Sequence, residues 1–213
     1  MKRRLAIFSI LFLPLLASAE PAKEPAKSES TPAAKSSKVR FTTTLGDIVI
    51  ELNSEKAPVT TENFLSYVNK KHYDGTAFHR VIDDFMIQGG GFSLTDGKLA
   101  EKSVGKGIIN EGQNGLKNER GSIAMARTSD PNSATAQFFI NVKDNPMLDY
   151  PSNGGYAVFG KVISGMEVVD KIKVVATRTA PLLMKHPVTN ESIEAPAGDV
   201  PVDTILIKSA SAE

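Results

Sequence analysis

The sequence predicts a mainly β domain, a barrel or a sandwich, carrying two short helices. Three observations point there. Many short runs of β-forming residues are separated by glycine-bearing turns, the habit of barrels and sandwiches. Two stretches space their apolar residues helically. The 213-residue chain contains no cysteine, so such a fold must hold through its core rather than through disulfides.

The chain opens with Met1-Lys2-Arg3-Arg4, an apolar run from Leu5 to Leu16, and Ala17-Ser18-Ala19. That is the order of a secretory signal peptide, and cleavage is expected after Ala19. The apolar run is short for a membrane span. Residues 20–38 are Ala-, Pro-, Lys-, Ser- and Glu-rich without a large apolar side chain, and read as a flexible tether. Residues 39–213 have the length of one domain.

Within it, Val39 to Leu52 reads as a hairpin. Ile48, Ile50 and Leu52 alternate with Asp47, Val49 and Glu51, and Leu45-Gly46-Asp47 supplies the turn. Pro58 opens a helix to about Lys70, since proline at the first helical position loses no needed hydrogen bond. Its Phe64, Leu65 and Val68 form an apolar stripe. Strand-like runs follow at 77–82, 85–88, 122–126, 137–142 and 157–163. Gly165 breaks the chain before a second short helix at 166–172, and a last strand lies near 204–208. Residues 176–201 hold Pro181, Pro187, Pro196 and Pro201 and read as an irregular surface excursion.

The whole chain has 25 basic and 24 acidic residues. Residues 1–19 hold three basic and no acidic ones, which leaves 22 against 24 and a charge of −2. So small a charge gives no electrostatic case for nucleic acid as a partner. The histidines, His72, His79 and His186, lack zinc-ligand spacing, and there is no cysteine ligand. No metal or cofactor is expected. Gly-x-Ser-x-Gly, Walker and dinucleotide signatures are absent.

One run remains to be explained: Phe78-His79-Arg80-Val81-Ile82-Asp83-Asp84-Phe85-Met86-Ile87-Gln88-Gly89-Gly90-Gly91-Phe92. It sets a guanidinium, an amide and large apolar groups beside a glycine triplet. No acid, thiol or metal ligand dominates it. His79 reads as a packed structural residue, and the glycines as a turn or a close backbone approach. Such a set suits control of charge distribution without bond breaking.

The same run closely resembles the signature of cyclophilin-type peptidyl-prolyl isomerases, above all exported bacterial ones. Two further blocks agree in order and spacing: Asn118 to Arg127, and Ala134 to Val142 followed by Met147-Leu148-Asp149 and Gly155 to Val162. The resemblance implies a closed eight-stranded antiparallel barrel capped by two helices, with a groove along its outside. It implies a catalytic pair: Arg80, and Gln88 supporting the arginine and the substrate backbone. It implies a proline pocket of Phe85, Met86, Phe139 and Leu148, with Ala126, Arg127, Gln137, Met147 and Tyr156 at further groove positions. Arg127 replaces an asparagine usual in animal relatives, and Met147 replaces a common tryptophan. Asp83-Asp84 stands where Pro-Gly is common, and a changed turn with intact chemistry is expected. The implied protein is a monomeric periplasmic folding enzyme acting on X–Pro bonds of unfolded exported polypeptides, with no membrane association after cleavage. The rival reading is a holdase that grips proline-containing segments without turnover.

Overall fold

The computed structural model describes residues 38–186, 189 and 191–213. The expected signal peptide and all of the tether but Lys38 lie outside the described residues. Eleven strands and two helices follow in order: β1 (Lys38–Thr43), β2 (Gly46–Leu52), α1 (Pro58–Asn69), β3 (Thr76–Ile82), β4 (Met86–Thr95), β5 (Lys98–Glu101), β6 (Ser122–Met125), β7 (Phe138–Asn141), β8 (Val158–Ser164), α2 (Met166–Lys173), β9 (Thr177–Lys185), β10 (Ser192–Pro201) and β11 (Leu206–Ala212). Lys38 already pairs with Glu51, so the first strand takes in the last residue of the expected tether.

Eight of the strands close on themselves. The ring runs β1, β2, β8, β6, β7, β4, β3, β11 and back to β1, antiparallel at each step. Closure leaves no free edge in the ring. The period-two pattern decides which side chains fill it. In β7, Phe138 and Ile140 point inward and Phe139 packs in a separate outer cluster. The interior is strongly aromatic. Phe138 lies 5.3 Å from Phe41 and 5.7 Å from Tyr73 by ring centroids, and Phe64 lies 5.0 Å from Phe159. Helix α1 contributes Phe64 and Val68 to this core, and α2 contributes Val168, Val169 and Ile172. No side chain at the N-cap closes α1. Instead Glu111, 51 residues on, accepts hydrogen bonds from the Val59 and Thr60 amides at 3.2 and 2.8 Å. A carboxylate there suits the positive end of the helix dipole.

The 176–201 excursion is corrected. Thr177–Lys185 and Ser192–Pro201 pair as the β9–β10 hairpin, with Pro181 directly opposite Pro196, while Pro187 lies outside the described residues. Proline lacks an N–H for a ladder and is tolerated at sheet edges. Strand β10 is such an edge, and among the described residues the β9–β5 ladder is the single pair Ala100↔Leu183, with the Lys185 amide donating to the Glu101 carboxylate beside it. The hairpin continues the sheet outward from β4 through β5. Its own small core joins Leu182 and Val200 to Ala77, Phe92 and Leu99. Strand β4 is longer than predicted because its second half, Phe92–Thr95, pairs with β5.

The glycine triplet lies inside β4 as a close approach. Gly90 has φ +84°, and a Cβ there would stand 2.8 Å from the Tyr73 ring. A Cβ on Gly91 would meet Gln137 Cδ at 2.5 Å.

Candidate active site

The β3–β4 turn is built by Asp83 and Asp84. Asp84 adopts φ +61°, its amide donates to Asp83 Oδ1 at 2.9 Å, and its carboxylate pairs with Lys143 at 2.7 Å. Aspartate tolerates that left-handed backbone well. The turn delivers Phe85 and Met86 to the outer face of the barrel, with Arg80 facing Gln88 across the β3–β4 ladder. Strand β7 brings Phe139 opposite Gln88 on β4's other side.

These residues line a cavity of about 120 Å³, shared by Arg80, Phe85, Met86, Gln88, Ala126, Arg127, Phe139, Leu148 and Tyr156. Nine of the eleven residues singled out from the sequence therefore meet in one place. Gln137 sits one step behind, its Oε1 accepting from Gln88 Nε2 at 3.0 Å. Met147 precedes Leu148 in a 3-10 turn and is 60% exposed, outside the cavity wall. A larger opening of about 480 Å³ lies elsewhere, between the end of β2 and β8, and holds none of the eleven.

An asparagine network fixes the wall. Asn145 Nδ2 donates to the Phe85 carbonyl at 2.9 Å and to Asn141 Oδ1 at 2.7 Å, and the Tyr156 amide donates to the Leu148 carbonyl at 2.9 Å. Phe85 is thereby tied to Asn141 of β7, and Leu148 to Tyr156. Arg127 is pinned as well. Its guanidinium donates to the carbonyls of Thr128, Asn153 and Gly155 and lies 4.4 Å from the Tyr156 ring centroid. The Tyr156 ring in turn meets Phe139 edge-on at 5.7 Å.

Arg80 is differently placed. Its side chain is 43% exposed, and Asp199 Oδ2 lies 3.9 Å from its Nε. Among the described residues no hydrogen bond joins Arg80 to Gln88; Gln88 donates from Nε2 to Gln137, which leaves its Oε1 as an acceptor on the Arg80 side of the ladder. Asp199 was not found by sequence reasoning. It lies in the hairpin misread as irregular, and nothing local links it to Arg80, 119 positions earlier.

His79 is the packed residue its alternation predicts, 5% exposed and 4.6 Å from the Phe92 ring. Burial pushes its imidazole down to about 4, and the Arg80 charge adds to that. It is neutral at physiological pH. Between its ordinary 6.5 and about 4, the unfolded chain binds this proton and the folded chain does not. Stability therefore rises with pH across that window, and acidification removes up to about 3 kcal/mol through this group. Denaturant midpoints at pH 7 and pH 4.5 check it. The acid loss is expected to shrink in His79→Gln; equal losses in variant and wild type would show that His79 is not responsible.

Known proteins share this fold. The model of the cyclophilin type peptidyl-prolyl cis-trans isomerase family matches residues 38–195. The chain is 51% identical over 178 residues to peptidyl-prolyl cis-trans isomerase cyp18 of Streptomyces antibioticus, covering 82% of this chain and 97% of that protein. It is 48% identical over 179 residues to peptidyl-prolyl cis-trans isomerase A of Dickeya dadantii, covering 84% and 85%. Among solved structures, it resembles a cyclophilin type isomerase of Cryptosporidium parvum crystallised in the presence of the dipeptide Ala-Pro. The TM-score is 0.65 at 30% identity, over 83% of this chain and 98% of that one. With the closed barrel and its two helices, these matches show that the chain belongs to the cyclophilin-type peptidyl-prolyl cis-trans isomerases.

Proposed function

We propose that the cavity beside Arg80 binds the proline ring of an X–Pro segment and that Arg80 drives rotation of the preceding peptide bond. The observation that carries this is the shared wall. Arg80 lines the same 120 Å³ space as Phe85, Met86, Phe139 and Leu148, whereas the guanidinium of Arg127, the other cation in the wall, donates to the carbonyls of Thr128, Asn153 and Gly155.

Rotation must break amide resonance, against a barrier of about 18–20 kcal/mol. In X–Pro bonds both isomers are populated, and uncatalysed exchange takes about tens to hundreds of seconds. As the bond twists, the proline nitrogen pyramidalises and regains a lone pair. A donor directed at that nitrogen stabilises the twisted state more than either planar one, which is the condition for catalysis. Arginine keeps its protons throughout and acts only as a donor. The apolar wall fixes the ring while the chain on one side of the bond turns. Gln88 and Gln137, joined to each other, present amide groups suited to the substrate backbone.

The substrates are X–Pro segments of unfolded exported polypeptides, and one proline with a few backbone groups sets a broad specificity. The Ala-Pro dipeptide named with the Cryptosporidium relative supports this ligand class. The basic, apolar and Ala-x-Ala order of residues 1–19 supports export to the periplasm and cleavage after Ala19, with residues 20–38 as a tether. Protein recovered from the periplasm is expected to begin at Glu20; an intact Met1 would contradict export by this route. For the activity itself, a protease-coupled assay on peptides with varied X before proline is expected to show acceleration throughout. Binding without acceleration would leave only the holdase reading.

A further inference from the structure

We infer that Asp199 is a positioning residue for Arg80, supplied by a hairpin outside the barrel. The inference rests on the reading of Arg80 given above.

Arginine is long, and fixing its several rotatable bonds costs conformational entropy. A catalytic guanidinium therefore needs a partner to hold it. Gln88 is directly opposite, but among the described residues no hydrogen bond joins it to Arg80. Among the described residues, Asp199 is the one carboxylate within ion-pair distance of Arg80, 3.9 Å from Nε. A partner on the Nε edge leaves the terminal Nη donors for the cavity that Arg80 lines.

The local backbone is built for this placement. The β9–β10 ladder loses register between Ala197 and Val200, so Gly198 and Asp199 bulge out of the pairing. Asp199 takes φ +59°, a left-handed conformation that plain pairing does not call for. Bulges beside active sites re-aim side chains, and an unusual backbone conformation is a pointer to function. The next residue locks the bulge in place. Val200 is 4% exposed and packs with Ala77 and Phe92, which belong to the strands that carry Arg80 and Gln88. An ion pair between Lys98 and Glu194 also ties β10 to β5. The carboxylate is thus referenced to the active-site strands.

Both side chains are substantially exposed, 43% for Arg80 and 47% for Asp199, so the pair adds little to fold stability. Its effect is on geometry, where small misplacements of a reacting group reduce rate strongly. Asp199→Asn keeps size and tolerance of positive φ while removing the charge. Asp199→Gly removes the side chain at a position where glycine is unstrained.

The test uses an uncharged X–Pro peptide, NMR exchange rates, and the Arg80 Nε–H resonance. In both variants kcat is expected to fall by about 3- to 10-fold with KM within about twofold, because orientation and not ground-state binding is lost. The melting temperature stays, and the Arg80 Nε–H signal shifts or broadens. In an Arg80→Ala background, measured at high enzyme concentration, Asp199→Asn produces no further loss. Wild-type kcat in both Asp199 variants, with Arg80→Ala strongly impaired, would overturn this inference alone. An equal loss from Asp199→Asn in the Arg80→Ala background would overturn it too, since Asp199 would then act elsewhere. Full activity in Arg80→Ala would remove the reading of Arg80 and this inference with it.

Discussion

Arg80→Ala is expected to lower kcat/KM for a short X–Pro peptide by several hundredfold. Preorganised donors in comparable acyl-transfer sites contribute about 3–4 kcal/mol, and at about 1.4 kcal/mol per decade that is a factor of several hundred. The remaining acceleration comes from the wall that holds the ring, so the variant should retain catalysis above background. Peptide affinity should change little, because the donor bond forms fully only in the twisted state. Arg80→Lys is expected to recover only part of the loss. Its ammonium keeps the charge but lacks the planar fork whose edge faces Asp199. Steady-state rates on one uncharged peptide for all three proteins check the series.

Two adjacent phenylalanines separate stability from activity. Phe138→Ala is expected to cost about 3–5 kcal/mol of folding free energy, the usual range for a buried phenylalanine. Phe138 is fully buried in the barrel, with Phe41, Phe64, Tyr73 and Phe78 all within 6.2 Å by ring centroid. Against a typical total of about 5–15 kcal/mol, that loss can leave a large unfolded population. Phe139→Ala opens the outer cavity instead. It should cost less stability, since Phe139 belongs to the smaller cluster with Met86, Ala124 and Val158, and should raise KM strongly. Denaturant midpoints and peptide kinetics on both variants test the assignment. The opposite ranking, with Phe138→Ala stable and inactive, would place the wrong face of β7 toward the substrate.

Most strand and helix positions were legible in the sequence, whereas the outward placement of Phe139 came from the family resemblance alone. The β1–β2 hairpin, Pro58 at the start of α1 and the break at Gly165 each rest on a local rule, and each stands where expected. Closure of the ring is another matter. It depends on β4 pairing with β7 and β11 returning to β1, contacts that no local pattern specifies, and only the family resemblance implied them. The 176–201 hairpin was missed because its prolines signal irregular chain in isolation. Their harmless placement depends on the ribbon lying outside the closed ring. At the site, the family resemblance carried the reading of Arg80 and the apolar wall; by residue type alone Phe85, Met86, Phe139 and Leu148 read as core. Hydrogen-bond partners were not readable. Gln88 turned to Gln137, and the carboxylate beside Arg80 came from the misread hairpin.

The most direct measurement is NMR exchange spectroscopy on a single X–Pro peptide, saturated in turn with wild-type protein and with Arg80→Ala. Both proteins are expected to bind the peptide with similar Kd, with resonances of Phe85, Met86 and Phe139 shifting on titration. Only the wild type should give fast cis–trans exchange of the bound peptide, with Arg80→Ala slower by several hundredfold. Equal exchange rates in the two bound complexes would contradict the central claim that Arg80 stabilises the twisted bond.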